Sequence, residues 1–63
     1  MTSDEAIERL ESGGRVTHRY FTSGEWVKLT GRKYEFEDGC LCDIDEFWAV
    51  RSSGGWSAGW REC

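Results

Sequence analysis

Apolar residues at the start of the chain recur at helical spacing. Thr2 followed three residues later by Glu5 forms a capping-box pattern, in which each residue satisfies a backbone N–H of the other. Alanine, isoleucine and leucine then fall on one helical face and charged residues on the other. This pattern predicts a helix from Ser3 to about Ser12, which Gly13 and Gly14 end because glycine accepts the left-handed conformation.

From residue 15 the apolar period changes to two, which is typical of strands with one buried face. β-Branched and aromatic residues are frequent there, and short Gly-containing segments interrupt the pattern. We therefore expect an antiparallel β-meander. Its predicted parts are a strand over 15–21, a turn at 22–24, a strand over 25–30, a strand over 32–37, and a tight turn at Asp38-Gly39 that leads into 40–42.

The carboxy-terminal third predicts a second helix and one more strand. Asp43 with Glu46 repeats the capping-box pattern, and apolar residues at helical spacing extend the helix from Ile44 to about Val50. Trp56, Ala58 and Trp60 then alternate with polar or small residues, so this stripe either finishes the sheet or packs over it. The predicted fold class is α+β, with a short N-terminal helix, a small antiparallel β-meander, a short second helix and a C-terminal Trp-rich strand.

Length and charge narrow the function classes. The chain has 63 residues and four tryptophans, enough for one small domain over 1–63 with a dense aromatic core, but not for a large enzyme core. Its net charge of -4 has the wrong sign for general nucleic-acid binding. Neither a membrane-length apolar run nor a signal-peptide pattern is present, so we expect a cytoplasmic protein that does not enter the membrane.

The basic residues are concentrated beside aromatic ones, and five of the eight Lys and Arg residues lie between residues 15 and 33. Guanidinium groups suit phosphate oxygens, and flat rings suit a nucleobase, so this composition predicts a nucleotide site. In the alternative interpretation the rings fill the core and the arginines lie in solvent. The candidate ligand-binding residues are Arg15, His18, Arg19, Tyr20, Phe21, Trp26, Arg51 and Trp56.

The sequence offers little for catalysis or metal binding. Cys40 and Cys42 are separated by a single residue, closer than in the usual zinc motifs, and Cys63 leaves an odd total that favours free thiols. His18 is the only histidine, and no spacing places it beside a cysteine. We expect no catalytic residue, no metal and no cofactor, and therefore a protein that is not an enzyme.

An acidic block lies between the predicted third strand and the second helix. Turns and caps account for most of its carboxylates, but such a surface also suits an inhibitor that binds a host defence enzyme through its acidic face or its exposed tryptophans. This protein–protein inhibitor is the alternative to the nucleotide-binding function. The block comprises Glu35, Glu37, Asp38, Asp43, Asp45 and Glu46.

The order of these features resembles the Thoeris anti-defence two-like family of small phage proteins. The likeness spans nearly the whole chain: a short helix ending in Gly-Gly, the strand 15–21, the segment 25–29, a hairpin and a closing Gly59-Trp60. The resemblance implies a small α+β domain that forms homo-oligomers and sequesters a nucleotide immune signal without cleaving it. The signals include cyclic ADP-ribose derivatives and cyclic dinucleotides, and the site of action is the host cytoplasm.

The chain departs from the pattern of that family at two positions. The family has an arginine two residues after the valine and a tryptophan three residues after that arginine, whereas this chain has His18 and Phe21 there. Arg19 is the neighbouring replacement for the displaced charge. The resemblance therefore implies a nucleotide ligand but leaves its identity open.

Overall fold

A computed structural model describes all 63 residues and confirms the predicted α+β fold. Two short helices and a five-stranded sheet follow one another with short connections, and a single 3-10 turn precedes the last strand. The elements are α1 (Ser3–Glu11), β1 (Arg15–His18), β2 (Val27–Thr30), β3 (Lys33–Phe36), β4 (Leu41–Asp43), α2 (Ile44–Ala49), the 3-10 turn (Gly54–Trp56) and β5 (Trp60–Glu62).

The sheet has the strand order β4-β3-β2-β1-β5, and all neighbouring strands are antiparallel. The first four strands form the predicted meander, and β5 returns to pair with β1, with Trp60 opposite His18. Both helices supply the same core: Ala6 and Leu10 from α1 and Phe47 from α2. The helices therefore cover one face of the sheet, and the other face remains open to solvent.

The capping box at α1 is confirmed in both directions. The Glu5 N–H donates to Thr2 Oγ1 at 3.2 Å, and the Thr2 N–H donates to Glu5 Oε1 at 2.8 Å. The Thr2 N–H favours the carboxylate form of Glu5, and with a further contribution from the Thr2 side chain it lowers the pKa of Glu5. The helix ends at Glu11, one residue before the predicted end, and Gly13 follows with a φ of 94°.

The first two strands are shorter than the sequence predicts. β1 ends at His18 instead of residue 21 because the Phe21 N–H donates to the His18 carbonyl at 2.9 Å, which closes a turn. Tyr20 and Phe21 thus leave the sheet, and Tyr20 is 57% exposed whereas Val16 and His18 are buried. β2 begins at Val27 instead of residue 25, and β3 likewise loses one residue at each end.

The predicted cap of the second helix is wrong. Asp43 precedes α2, but its side chain makes no cap hydrogen bond and binds Lys33 Nζ across the sheet instead. That ion pair raises the pKa of Lys33. α2 then ends at Ala49, one residue before the predicted Val50.

Of the two tryptophans predicted to lie in the C-terminal strand, only Trp60 does so. The strand begins at this residue, whereas Trp56 belongs to the 3-10 turn and packs beside the sheet. The Trp60 Nε1–H donates to the Trp56 carbonyl at 2.8 Å, so the turn and the strand are joined through the indole. The two predicted alternatives thus apply to different residues: Trp60 completes the sheet, and Trp56 packs beside it.

Aromatic side chains dominate the interior. Trp60 and Phe47 are buried, and Tyr34 lies edge-on to Phe47 with ring centroids 4.9 Å apart. The half-buried Trp48 donates its Nε1–H to the Tyr34 hydroxyl at 2.9 Å, which satisfies both polar groups. Burial raises the pKa of the Tyr34 hydroxyl.

Gly59 connects the 3-10 turn to β5 in a conformation that only glycine adopts readily. Its φ is 91°, and a Cβ there would lie 3.1 Å from His18 Nε2 and 3.2 Å from Arg19 Cδ. Gly13 has a similar φ of 94° but open space around the Cβ position. Both glycines therefore have a positive φ that disfavours other residues, but only Gly59 has close neighbours at the position of a Cβ.

We expect Gly59→Ala to lower the free energy of unfolding by about 2 to 3 kcal/mol, because it adds crowding to left-handed backbone strain. Gly13→Ala carries only the strain and should cost about 1 kcal/mol. Urea unfolding followed by tryptophan fluorescence measures both. Equal losses for the two variants would show that the packing of Gly59 against His18 contributes nothing.

Candidate functional site

The largest of three pockets is a cleft of about 460 Å³ between the β1–β2 connection and the end of β5. Half of the predicted ligand-binding residues line it, and the last strand adds two residues that the sequence analysis did not select. Its charged, aromatic and thiol-bearing lining residues are His18, Arg19, Phe21, Glu25, Trp26, Arg61, Glu62 and Cys63.

Arg15 and Trp26 form a stacked pair next to the cleft. The Arg15 guanidinium carbon lies 4.8 Å from the Trp26 ring centroid, within cation–π distance. Arg15 pairs in register with Lys28 on the open face of the sheet, so no helix covers it. The pair presents a flat, positively charged surface of the kind that suits a nucleobase or a phosphate.

Arg19 and Arg61 bring positive charge to the cleft itself. Both are exposed, and the three ion pairs in the protein use neither of them, nor Arg15. Arg61 is placed there by the antiparallel pairing of β5 with β1, in which it lies opposite Thr17. In the sequence, the alternation of apolar Trp60 with polar Arg61 indicates that the two side chains face opposite sides of a strand. That pattern identifies Arg61 as a site residue only when the partner strand is known.

His18 is a buried structural residue. Its Nε2 lies 2.6 Å from the Ala58 carbonyl oxygen, and its Nδ1 accepts the Tyr20 N–H at 3.0 Å. Because a carbonyl only accepts, these partners assign a neutral ring with its proton on Nε2. His18 is 2% exposed, so it supports the floor of the cleft and has no nitrogen free for a ligand or for proton transfer.

Tyr20 and Trp56 lie outside the cleft. The Trp56 and His18 ring centroids are 4.3 Å apart, and Tyr20 is edge-on to Trp56 at 5.0 Å. The three rings form a continuous cluster beside the 3-10 turn. Trp56 packs against the core, and the predicted role of both rings in stacking a ligand stays a prediction.

Arg51 is also separate from the cleft. Its guanidinium carbon lies 4.1 Å from the Phe47 ring centroid and 5.1 Å from that of Trp56, and Nη1 donates to the Phe47 carbonyl at 3.1 Å. Its buried Nε has no hydrogen-bond partner, and burial lowers the pKa of the group. Aromatic rings are therefore the neighbours of its guanidinium group within the protein.

Glu25 is a site residue that the sequence analysis did not select. The side chain is half-buried and lines the same cleft as Arg19 and Arg61. Its Oε1 accepts the Thr22 N–H at 2.9 Å and the Thr22 hydroxyl at 3.1 Å. The Thr-x-x-Glu spacing is the same as in the capping box of α1 and was visible in the sequence, but the absence of a following helix removed the usual reason to single it out.

The remaining candidate groups are dispersed. All three cysteines are free, with Cys63 in the cleft, and no group of three or more His, Cys, Asp or Glu residues could hold a metal ion. Two carboxylates of the acidic block pair with lysines, Glu35 with Lys28 at 3.8 Å and Asp43 with Lys33. The other four carboxylates of the block are exposed, and the inhibitor alternative stays a prediction.

Neither helix is long and apolar enough to span a bilayer. Comparison of the chain with protein-family models, with curated proteins and with solved structures gives no match. The resemblance to the Thoeris anti-defence two-like family therefore stays a prediction made from the residues quoted above.

We expect Arg51→Ala to lower the free energy of unfolding by about 1 to 3 kcal/mol, because it removes cation–π contacts and the hydrogen bond to Phe47. Arg32→Ala is the matched control, since Arg32 is exposed in the β2–β3 turn and should change stability by at most about 0.5 kcal/mol. Thermal or urea unfolding measures both. An Arg51 variant as stable as the control would contradict a packing role.

Proposed function

We propose that this protein binds a nucleotide in the cleft beside β5 and retains it without cleavage. The observation that carries the proposal is the meeting of Arg19 and Arg61, neither held by an ion pair, with the stacked Arg15 and Trp26. Arginine forks bind phosphate oxygens, and an indole face stacks on a base. The volume of about 460 Å³ falls in the usual range of small-molecule sites.

The geometry argues against a histidine-based catalytic site in the cleft. A histidine that acts as a general base, or that activates a thiol, needs a ring nitrogen that is free to take a proton. Both ring nitrogens of His18 are hydrogen-bonded to the backbone, and the cysteine in the cleft has no imidazole beside it that is free to activate it. This arrangement supports a protein that holds its ligand unchanged.

The biological role follows from the resemblance and belongs to the same proposal. A phage-encoded member of an anti-defence family would remove a nucleotide second messenger in the host cytoplasm, with cyclic ADP-ribose derivatives and cyclic dinucleotides or oligonucleotides as the candidate signals. Sequestration needs affinity and abundance rather than turnover, and a chain of 63 residues meets that need without a large catalytic core.

We expect a thermal-shift screen of these nucleotides to give at least one large stabilisation, since a ligand at about 100 times its Kd adds roughly 2.7 kcal/mol. For that nucleotide, Arg19→Ala and Arg61→Ala should each weaken binding about tenfold, because each removes a charge-assisted phosphate contact. Arg32→Ala keeps the same net charge as these variants but lies outside the cleft, so its affinity should equal that of the wild type.

Two results would contradict the proposal. One is a flat screen with folded protein, which would favour the protein–protein inhibitor and direct mutagenesis to the exposed carboxylates Glu37, Asp38, Asp45 and Glu46. The other is recovery of a cleaved nucleotide after incubation, which would show an enzyme. Chromatography of the released ligand separates retention from cleavage.

We further propose that the chain forms a homo-oligomer. The face of the sheet away from the helices has no cover, and the half-buried Trp26, which lines the cleft, stacks there with Arg15. A second copy on that face would enclose more of a bound ligand than one chain of this size can. We expect sedimentation equilibrium at micromolar concentration to give a mass of at least twice 7.3 kDa, and a purely monomeric chain would contradict this part of the proposal.

A further inference from the structure

Glu25 is a carboxylate that the turn holds in place within a cleft whose other charged side chains are Arg19, Arg61 and Glu62. Its Oε1 already accepts two hydrogen bonds from Thr22, which use both lone pairs of that oxygen. Its other oxygen, Oε2, has no hydrogen bond or ion pair within the protein. The side chain is thus fixed by one oxygen and leaves the second free to accept.

The charge of Glu25 is unexpected in a site for a simple anion. Arg19 and Arg61 line the same cleft, yet neither forms an ion pair with this carboxylate. An unpaired negative charge repels a phosphate that approaches the arginines. The same charge is favourable where the ligand supplies a hydrogen-bond donor beside its phosphates.

We propose that Glu25 selects ligands that carry a hydrogen-bond donor beside their phosphates, namely a ribose hydroxyl or an exocyclic base amine, and disfavours anions without one. This inference rests on the proposed nucleotide-binding function and narrows its ligand class. Because both lone pairs of Oε1 are used, Glu25 accepts a hydrogen bond from the ligand through Oε2 alone. It therefore binds a single donor group and does not form the bidentate pair, through both carboxylate oxygens, that a guanine edge would form.

The local turn does not by itself require a carboxylate. The Glu25 N–H donates to the Thr22 carbonyl at 3.0 Å and closes the turn through the backbone. In Glu25→Gln the amide oxygen still accepts both Thr22 bonds, while an amide N–H₂ replaces Oε2 and donates instead of accepting. Glu5→Gln makes the same change in the same Thr-x-x-Glu arrangement at α1, outside the cleft, and is the matched control.

The test is calorimetric titration of the wild-type chain, Glu25→Gln and Glu5→Gln with ADP and with inorganic pyrophosphate, which share a diphosphate and differ in the adenosine. We expect Glu25→Gln to weaken ADP binding about tenfold, because a hydrogen bond to a charged acceptor is lost. Pyrophosphate binding should strengthen about twofold to threefold, because a repulsive charge is removed. Glu5→Gln should match the wild type with both probes.

Two further probes separate the sources of the donor. Inosine diphosphate lacks the exocyclic amine, and 2′,3′-dideoxyadenosine diphosphate lacks the ribose hydroxyls. If one of these probes binds the wild type and Glu25→Gln with the same affinity, the group that this probe lacks is the group that Glu25 binds. Either result supports the proposal and names the contact.

The outcomes that overturn the inference are distinct from those that overturn the function. If the wild type binds ADP and Glu25→Gln leaves the ratio of ADP to pyrophosphate affinity unchanged, Glu25 does not select the ligand, and the nucleotide site stands. If all three chains are folded and the wild type binds neither ADP nor pyrophosphate nor any nucleotide of the thermal-shift screen, both proposals fail. A nucleotide that binds in that screen replaces ADP as the probe if ADP itself does not bind.

Discussion

The pairing of β5 with β1 is the interaction on which the rest of the structure depends. It places Trp60 opposite His18, and both side chains are almost completely buried. The histidine is tolerated there because backbone groups on both sides satisfy its ring nitrogens, so its desolvation is compensated. Gly59 permits the chain to enter β5 so close to His18 because it has no Cβ. Without this pairing the core would lose its largest ring.

The same pairing creates the candidate site. Side chains alternate along a strand, so the residue that follows the inward-facing Trp60 must face outward. That residue is Arg61, and it joins Arg19 and Trp26 at the rim of the cleft. The core and the cleft are therefore two faces of one short strand, and the buried aromatic cluster supplies the rigid support that a binding site of this size requires.

The two sets of basic and aromatic residues have different roles. Arg15 and Trp26 stack on the open face of the sheet, where a ligand can reach them. Arg51 stacks on Phe47 and Trp56, and its buried Nε makes contact with no acceptor. Composition alone treats these pairs as equivalent, but their accessibility distinguishes a candidate binding surface from a packed cation.

Local patterns in the sequence determined the two helices, the meander and the capping box of α1, because each depends on residues within three or four positions of one another. They also indicated the basic-aromatic segment that contributes Arg19, Phe21 and Trp26 to the cleft. Tertiary structure alone decided that Asp43 binds Lys33 instead of capping α2, and that Arg61 and Glu25 belong to the cleft while Arg51 does not. Each of these outcomes depends on which distant strand or ring lies next to the residue, and spacing along the chain carries no information about such neighbours.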